Sequence, residues 1–291
     1  MSRIAYVNGR YVPIATPAVA IEDRGYQFAD GVYEVIRVVE GTIGALDRHL
    51  DRLERSLSEL SIRPPMSRAA LAAVIRETLR RNRLHRAIVY IQISRGIAPR
   101  NHLPPASGRA SLVVTVRRAP FPDRRQHDEG CRVISLPDER WKRCDIKSIG
   151  LLPNLLARQK AREAGAREAW MLDDDGRITE GTSSNAYIID RDGRLVTRPL
   201  GPRILGGITR SLLLELARKA GIEVIERPFT LEEARTAREA FLTSTTSLVL
   251  PVVQIDDCTI ANGMPGTLTR RLQEAFETNQ GLDVLYERQK P

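Results

Sequence analysis

Residues 141–152, WKRCDIKSIGLL, are the stretch against which the rest of the chain is read. They set Lys147 at the end of a short polar run that passes at once into apolar Ile149, Leu151 and Leu152. An amine at such a border is partly desolvated, and desolvation lowers its pKa and turns an inert ammonium into a nucleophile for carbonyl chemistry. Most lysines are solvated surface charges, so the stretch alone does not select this one and the partners of that amine have to come from elsewhere in the chain.

The 291 residues suffice for two domains of ordinary size, and 42% hydrophobic with 28% charged residues are globular proportions. A net charge of +9 raises the question of nucleic acid. Arginines interleaved with acids, as in Asp47, Arg48, Asp51, Arg52, Glu54 and Arg55, and only 5% aromatic residues argue against it and favour a site for anionic small molecules. Cys131, Cys144 and Cys258 are odd in number and lack CxxC spacing, so neither a disulfide framework nor a metal site is expected. No run reaches membrane-spanning length and the N-terminus shows no signal-peptide pattern, which points to the cytoplasm.

In chain order, residues 3–14 predict two short strands turning at Asn8 and Gly9, and Val32 to Val39 a strand turning at Glu40 and Gly41. Leu46, Leu50, Leu53, Leu57 and Leu60 form one stripe of an amphipathic helix, on which Arg52 is off-stripe and read as solvent-facing. A second helix starts after Ser67 with Leu71, Val74, Ile75, Thr78 and Leu79 inward, followed by strands at 87–94 and 110–116. The expected domains are 1–118, a linker at 119–129 within the proline-rich charged run, and 130–291.

Beyond the linker the pattern predicts a strand at 131–136, a helix at 154–164, hairpins turning at Asp175–Gly176 and Asp192–Gly193, and a helix capped by Thr209 with Leu212, Leu213, Leu216 and Ala217 inward. Strands at 223–225, 240–243 and 248–254 lead to a last helix near Thr267. Strands and helices do not alternate regularly, so the class is α+β rather than a doubly wound parallel sheet.

Several short runs carry chemical content. LGGIT (205–209) before a helix offers close backbone approach and free amides to a phosphate, though locally it is equally a glycine loop with a threonine cap. The hydroxyl run at 243–247 can bond phosphate oxygens or simply turn the chain. TEGTSSN (179–185) puts Glu180 in a turn beside Gly181, where it could hold a cationic ring nitrogen, although a lone glutamate in a turn is usually solvated. Arg100 and His102, two apart in an extended loop, can present two donors to a carboxylate, though on local sequence a solvated basic loop is the commoner case.

RGYQFADGVYEV (24–35), HLDRL (49–53), RGIAPRNH (95–102), RCDIKS (143–148), TEGTSSN, GITR (207–210) and TSTTS (243–247) form an ordered series. The series resembles the fold-type IV (class IV) pyridoxal phosphate-dependent aminotransferases, most closely their D-amino acid branch. The resemblance implies a smaller N-terminal α+β domain and a larger C-terminal mixed α/β domain. It implies ping-pong transfer of an amino group between a D-amino acid such as D-alanine and a 2-oxo acid such as 2-oxoglutarate.

By the same resemblance, Lys147 forms the aldimine with pyridoxal phosphate and moves the proton, and Glu180 faces the ring nitrogen. Arg52, Ile208, Thr209, Ser244 and Thr245 form the phosphate cup, with Leu205 against the ring. Tyr33, Arg100 and His102 trap the substrate carboxylate, the last two from the neighbouring subunit of a homodimer. A branched-chain L-amino acid aminotransferase and an aminodeoxychorismate lyase share the layout and are the alternatives. The chain departs from the family at Gly150, Thr182 and Gly206, all near the cofactor surroundings.

Overall fold

The computed structural model describes residues 3–15, 19–119 and 124–279. They form two compact units. The first takes the described residues up to 119 together with Ile146–Leu151, and the second takes the remainder.

The first unit opens with the hairpin of β1 (Ile4–Val7) and β2 (Arg10–Pro13), whose turn residues Asn8 and Gly9 have φ of 47° and 100°. A short helix α1 (Arg24–Phe28) follows, capped by the Asp23 carboxylate on the Gly25 amide and ended by Ala29 at φ 55°. The RGYQF sequence has no apolar period, so nothing in the pattern announced this helix. Then come β3 (Gly31–Val39), β4 (Thr42–Ile43), α2 (Leu46–Glu59), α3 (Arg68–Asn82), β5 (Ala87–Ser94) and β6 (Ser111–Arg118). The strands form one antiparallel sheet in the order β2-β1-β6-β5-β3-β4.

On β3 the even positions Val32, Ile36 and Val38 are buried with Val89 and Ile91 of β5 and Val114 of β6. Leu50, Leu53 and Leu57 of α2 and Ile75 and Leu79 of α3 close the same cluster, so both helices cover one face of the sheet. Each such side chain contributes about 1.5–3 kcal/mol when fully buried.

In the second unit, α4 (Arg124–Glu129) stands within the stretch expected as linker, and it is followed by β7 (Cys131–Pro137) and α5 (Leu152–Glu163). The hairpins are β8 (Glu168–Leu172) with β9 (Ile178–Gly181) and β10 (Asn185–Ile189) with β11 (Leu195–Thr197). The chain ends through α6 (Ile208–Lys219), β12 (Val224–Glu226), α7 (Leu231–Arg235), β13 (Glu239–Ser244), β14 (Leu248–Ile255), β15 (Cys258–Thr259) and α8 (Thr267–Asn279). The sheet order is β12-β11-β10-β13-β14-β7-β8-β9, with β15 on β14. Among the described residues only the pairs β11·β12, β14·β7 and β7·β8 are parallel, the mixed arrangement that irregular alternation implied. Trp170, Phe229, Leu242 and Leu250 fill its core. Among the described residues no helix is long and apolar enough to cross a membrane.

Two details of α6 differ from the periodicity. Gly207, not Thr209, is the N-cap, and Thr209 lies buried in the first turn. Leu213, Leu214 and Ala217 are the buried residues while Leu212 and Leu216 are less buried, so the inward face is rotated from the expected one.

Candidate active site

Lys147 is held by backbone before its side chain does anything. Ile146 is buried in the first unit's core, the Tyr33 amide donates to the Lys147 carbonyl at 3.0 Å, and the Lys147 amide donates to Ser56 Oγ at 3.3 Å. The Ile149 amide donates to the Gly31 carbonyl at 3.0 Å. The Lys147 Nζ lies 4.2 Å from the centroid of the Tyr33 ring, a cation–π distance. Tyr33 in turn stacks on Tyr90, ring centroids 5.7 Å apart.

Strand alternation puts Glu34 on the opposite face of β3 from Tyr33, in the buried row. A glutamate with no exposed surface needs partners, and α2 supplies them: Arg52 forks onto Glu34 with Nε at 2.7 and Nη2 at 2.8 Å, and His49 Nδ1 lies at 2.7 Å. Arg52 is therefore not solvent-facing as the leucine stripe implied; its side chain is 10% exposed. The buried face of α2 is wider than that stripe and includes His49, Arg52 and Ser56 at helical spacing. Sequence reading missed Glu34, His49 and Ser56. The available signal was an acid in a strand row otherwise occupied by Val32, Ile36 and Val38.

Burial alone would raise the Glu34 carboxyl, but the Arg52 guanidinium, the bonds from Arg52 and His49, and the Lys147 charge together bring it down to about 2. Burial also lowers His49, against the pull of Glu34. Glu34 has a depressed folded pKa, so its stabilisation is complete above its ordinary 4.5 and is lost as pH falls from 4.5 towards 2. His49 acts in the same direction, because below its ordinary 6.5 the unfolded chain takes up the proton first. Thermal melts from pH 7 to 3 are expected to show a steep acid fall in Tm that is shallower in Glu34→Gln. Equal slopes would contradict the Glu34 assignment.

In the second unit, β9 carries Glu180 into the interior, 5% exposed, where the reading of TEGTSSN had put it in a turn. Its Oε2 accepts from Asn185 Nδ2 at 2.9 and from the Leu205 amide at 3.0 Å, and its Oε1 accepts from Arg140 Nη1 at 2.5 Å. Arg140 also forks onto Asp138, with Nε to Oδ1 at 2.9 and Nη2 to Oδ2 at 2.8 Å. Burial pushes the Glu180 carboxyl up, and Arg140 and the Leu205 amide offset this only in part. The site is thus short of positive charge, which a protonated pyridine nitrogen would supply.

Asn185 joins the second-unit motifs. Its amide donates to Glu180 and to the Leu205 carbonyl, both at 2.9 Å, and it pairs across the sheet with Thr243, which leads into the hydroxyl run. A Cβ at Gly207 would strike the Asn185 side-chain oxygen, so a larger residue where α6 begins would push the Asn185 amide off its partners. That N-cap makes no side-chain bond to the first-turn amides, leaving the positive end of α6 for an anion. Ser244 Oγ accepts from the Ser247 amide at 2.9 Å, which shapes the neighbouring turn. A buried carboxylate and a helix start without a side-chain cap, tied through one asparagine, would suit a pyridine bearing a phosphate arm. A side chain at Gly150 would meet only Ser148 Oγ at 3.6 and Ala29 Cβ at 3.8 Å, and one at Gly206 only Leu200 at 3.6 Å, so packing does not demand glycine at either.

Arg100 and His102 are exposed and gather about Phe28: the Arg100 guanidinium lies 4.6 Å from the ring centroid and the His102 ring 5.5 Å. No hydrogen bond or ring contact joins either to Tyr33 among the described residues.

Residues 31–255 match the family described as Amino-transferase class IV. A D-alanine aminotransferase of Bacillus licheniformis is 42% identical over 275 residues, covering 94% of this chain and 95% of its own. The Escherichia coli branched-chain amino acid aminotransferase superposes with a TM-score of 0.89 at 25% identity, over 97% of this chain and 96% of its own. The branched-chain aminotransferase of the thermophilic archaeon Thermoproteus uzoniensis, solved with norvaline, gives 0.86 at 26%, over 98% and 97%.

Proposed function

The chain belongs to the class IV aminotransferases, and from that premise we propose that it exchanges the amino group of D-alanine or a similar D-amino acid with a 2-oxo acid such as 2-oxoglutarate. The observation that carries this reading is the Asn185 tie between the buried Glu180 carboxylate and the open start of α6. Pyridoxal phosphate, when bound, supplies the carbonyl that takes the amino group and a ring that draws electrons from the substrate Cα.

The roles of the chain's own residues follow from their chemistry. Lys147 Nζ, the amine on the Tyr33 ring, would take the proton from the substrate Cα as base and, as acid, deliver it beyond the transferred nitrogen, to the carbon that the cofactor carbonyl supplies. Glu180 keeps the ring nitrogen protonated. The α6 amides at Ile208 and Thr209, the hydroxyls of Ser244 and Thr245, and Arg52 hold the phosphate, with Leu205 against the ring. Tyr33, Arg100 and His102 take the carboxylate.

The D-side of this reading is supported by 42% identity to a D-alanine enzyme, against 25–26% to the branched-chain enzymes of the same fold. Initial rates with D-alanine and with L-leucine, each with 2-oxoglutarate, test it. D-alanine is the expected substrate, and turnover of L-leucine alone would reverse the stereochemical assignment.

The chain acts in the cytoplasm as a homodimer in which Arg100 and His102 serve the neighbouring subunit. Their exposure supports the homodimer, as does the outward apolar face of Leu152, Leu155 and Leu156 on α5, with Trp141 also exposed. Light scattering is expected to give twice the chain mass, and a stable active monomer would remove the shared-site reading.

A further inference from the structure

Arg24 is an arginine with 3% of its surface exposed, in a five-residue helix outside every catalytic role assigned above. Its guanidinium is divided between an anchor and a load. Nε donates to Asp30 Oδ2 at 2.8 Å, while Nη1 donates to the Asn101 carbonyl at 2.6 and Nη2 to the His102 carbonyl at 3.5 Å. The same group lies 4.7 Å from the centroid of the Phe28 ring, against which Arg100 also packs at 4.6 Å.

The anchor is firm. Asp30 also takes Arg95 Nε at 2.7 and Nη2 at 3.0 Å, and Arg95 Nη2 donates to the Leu60 carbonyl at the end of α2 at 2.9 Å. The front of the loop is stitched along α1: the Arg24 amide donates to the Gly96 carbonyl at 2.8, the Ala98 amide to the Glu22 carbonyl at 3.2, and Gln27 Nε2 to the Ala98 carbonyl at 3.1 Å. From Pro99 to His102 that stitching stops, and Arg24 and Phe28 take over.

We propose that Arg24 and Phe28 are positioning residues for Arg100 and His102, so that recognition of the substrate carboxylate depends on two side chains of α1 that do not touch substrate. This rests on the assignment of Arg100 and His102 to that carboxylate. An exposed arginine has several rotatable bonds, and restricting it before binding removes part of the entropy cost of ordering it on the substrate. Phe28 supplies the restriction through its ring face, and Arg24 sets the height of the backbone from which Arg100 and His102 project. Because misplacing a binding group by about 1 Å can cost up to about 100-fold in rate, the effect is large enough to measure.

The test uses the holoenzyme and steady-state kinetics with D-alanine. Phe28→Leu, which keeps an apolar filler but removes the ring face, is expected to raise KM about tenfold with kcat within about twofold and the visible absorption of the bound cofactor unchanged. Phe28→Tyr is expected to behave as wild type. Arg24→Lys, which keeps the charge but cannot bond both carbonyls and Asp30 together, should give the same KM-selective defect. Arg100→Ala run in parallel separates the two levels of inference. If it leaves KM unchanged, the carboxylate assignment falls and this proposal with it. If it raises KM while Phe28→Leu stays at wild type, lowers kcat alone, or adds its full effect in the double variant, the carboxylate assignment stands and the positioning role is overturned. A double variant no worse than Arg100→Ala alone supports it.

Discussion

Lys147→Ala is expected to lower kcat for D-alanine by about a thousandfold or more, while the protein still folds and still takes up some cofactor. Proton transfer by a positioned group contributes about 10²–10⁴-fold, and in the proposed function the same amine also bonds the cofactor, so both contributions would vanish together. Folding should survive because what seats residues 146–151 is backbone and Ile146, not the lysine side chain: the Tyr33, Lys147 and Ile149 amide bonds remain in the variant. Single-turnover assays with D-alanine check the rate, and borohydride reduction followed by peptide mapping checks the attachment in the wild type. Residual activity within about tenfold of wild type, or a label on another lysine, would remove Lys147 from the reaction.

The second large effect is on stability. Arg140→Met removes the cation that Asp138 and Glu180 share, and leaves two carboxylates in the interior. Breaking a buried pair in this way costs about 3–5 kcal/mol, or a fall of about 6–20 °C in Tm for a unit of this size. Burial by itself would raise Asp138; Arg140 and Thr179 hold it below the ordinary carboxylate range. The wild-type contribution of Asp138 is therefore present above its ordinary 3.8 and lost as pH drops below it. Without Arg140 the sign reverses, since both carboxyls become easier to protonate when buried alone, and the deficit of the variant should shrink in acid. Melts of wild type and variant between pH 8 and 4 measure this. A constant difference across that range would mean that Arg140 acts through packing. The variant should also bind cofactor weakly, because a protonated Glu180 cannot hold a charged ring nitrogen.

Much of the element order was legible because it is written in local terms. The leucine stripe gave α2, Ser67 gave the start of α3, and Asn8–Gly9 gave the first hairpin. What periodicity could not show was the second stripe on α2. His49, Arg52 and Ser56 are polar, so a hydrophobic count sends them outward, and only the acid on β3 gives the burial of His49 and Arg52 a reason. Glu180 was misplaced for a similar cause: beside glycine it reads as a turn, yet its neighbours on β9 are buried by strand pairing with β8, which no window of TEGTSSN contains. Arg140 carried no signal at all, since an arginine in DERWKRC looks like any surface cation until Asp138 and Glu180 are seen to share it. The order of the large sheet was beyond reach for the same reason, because β14 pairs with β7 across roughly a hundred residues or more of intervening chain.

The membership of Ile146–Leu151 in the first unit has a consequence for how the chain is made. As the polypeptide leaves the ribosome, the first unit cannot be finished when its last strand, β6, has emerged. Its strands can pair by then, but the amide of Tyr33 and the carbonyl of Gly31 wait for residues 146–151, the segment that contains the lysine proposed to carry the reaction. A cut in the connection after β6 would therefore not yield two complete halves: the leading fragment would lack the piece that covers Gly31 and Tyr33, and the trailing one would carry a reactive amine without its seat. The two units are interleaved along the chain, so the nascent first half stays provisional until the second has begun.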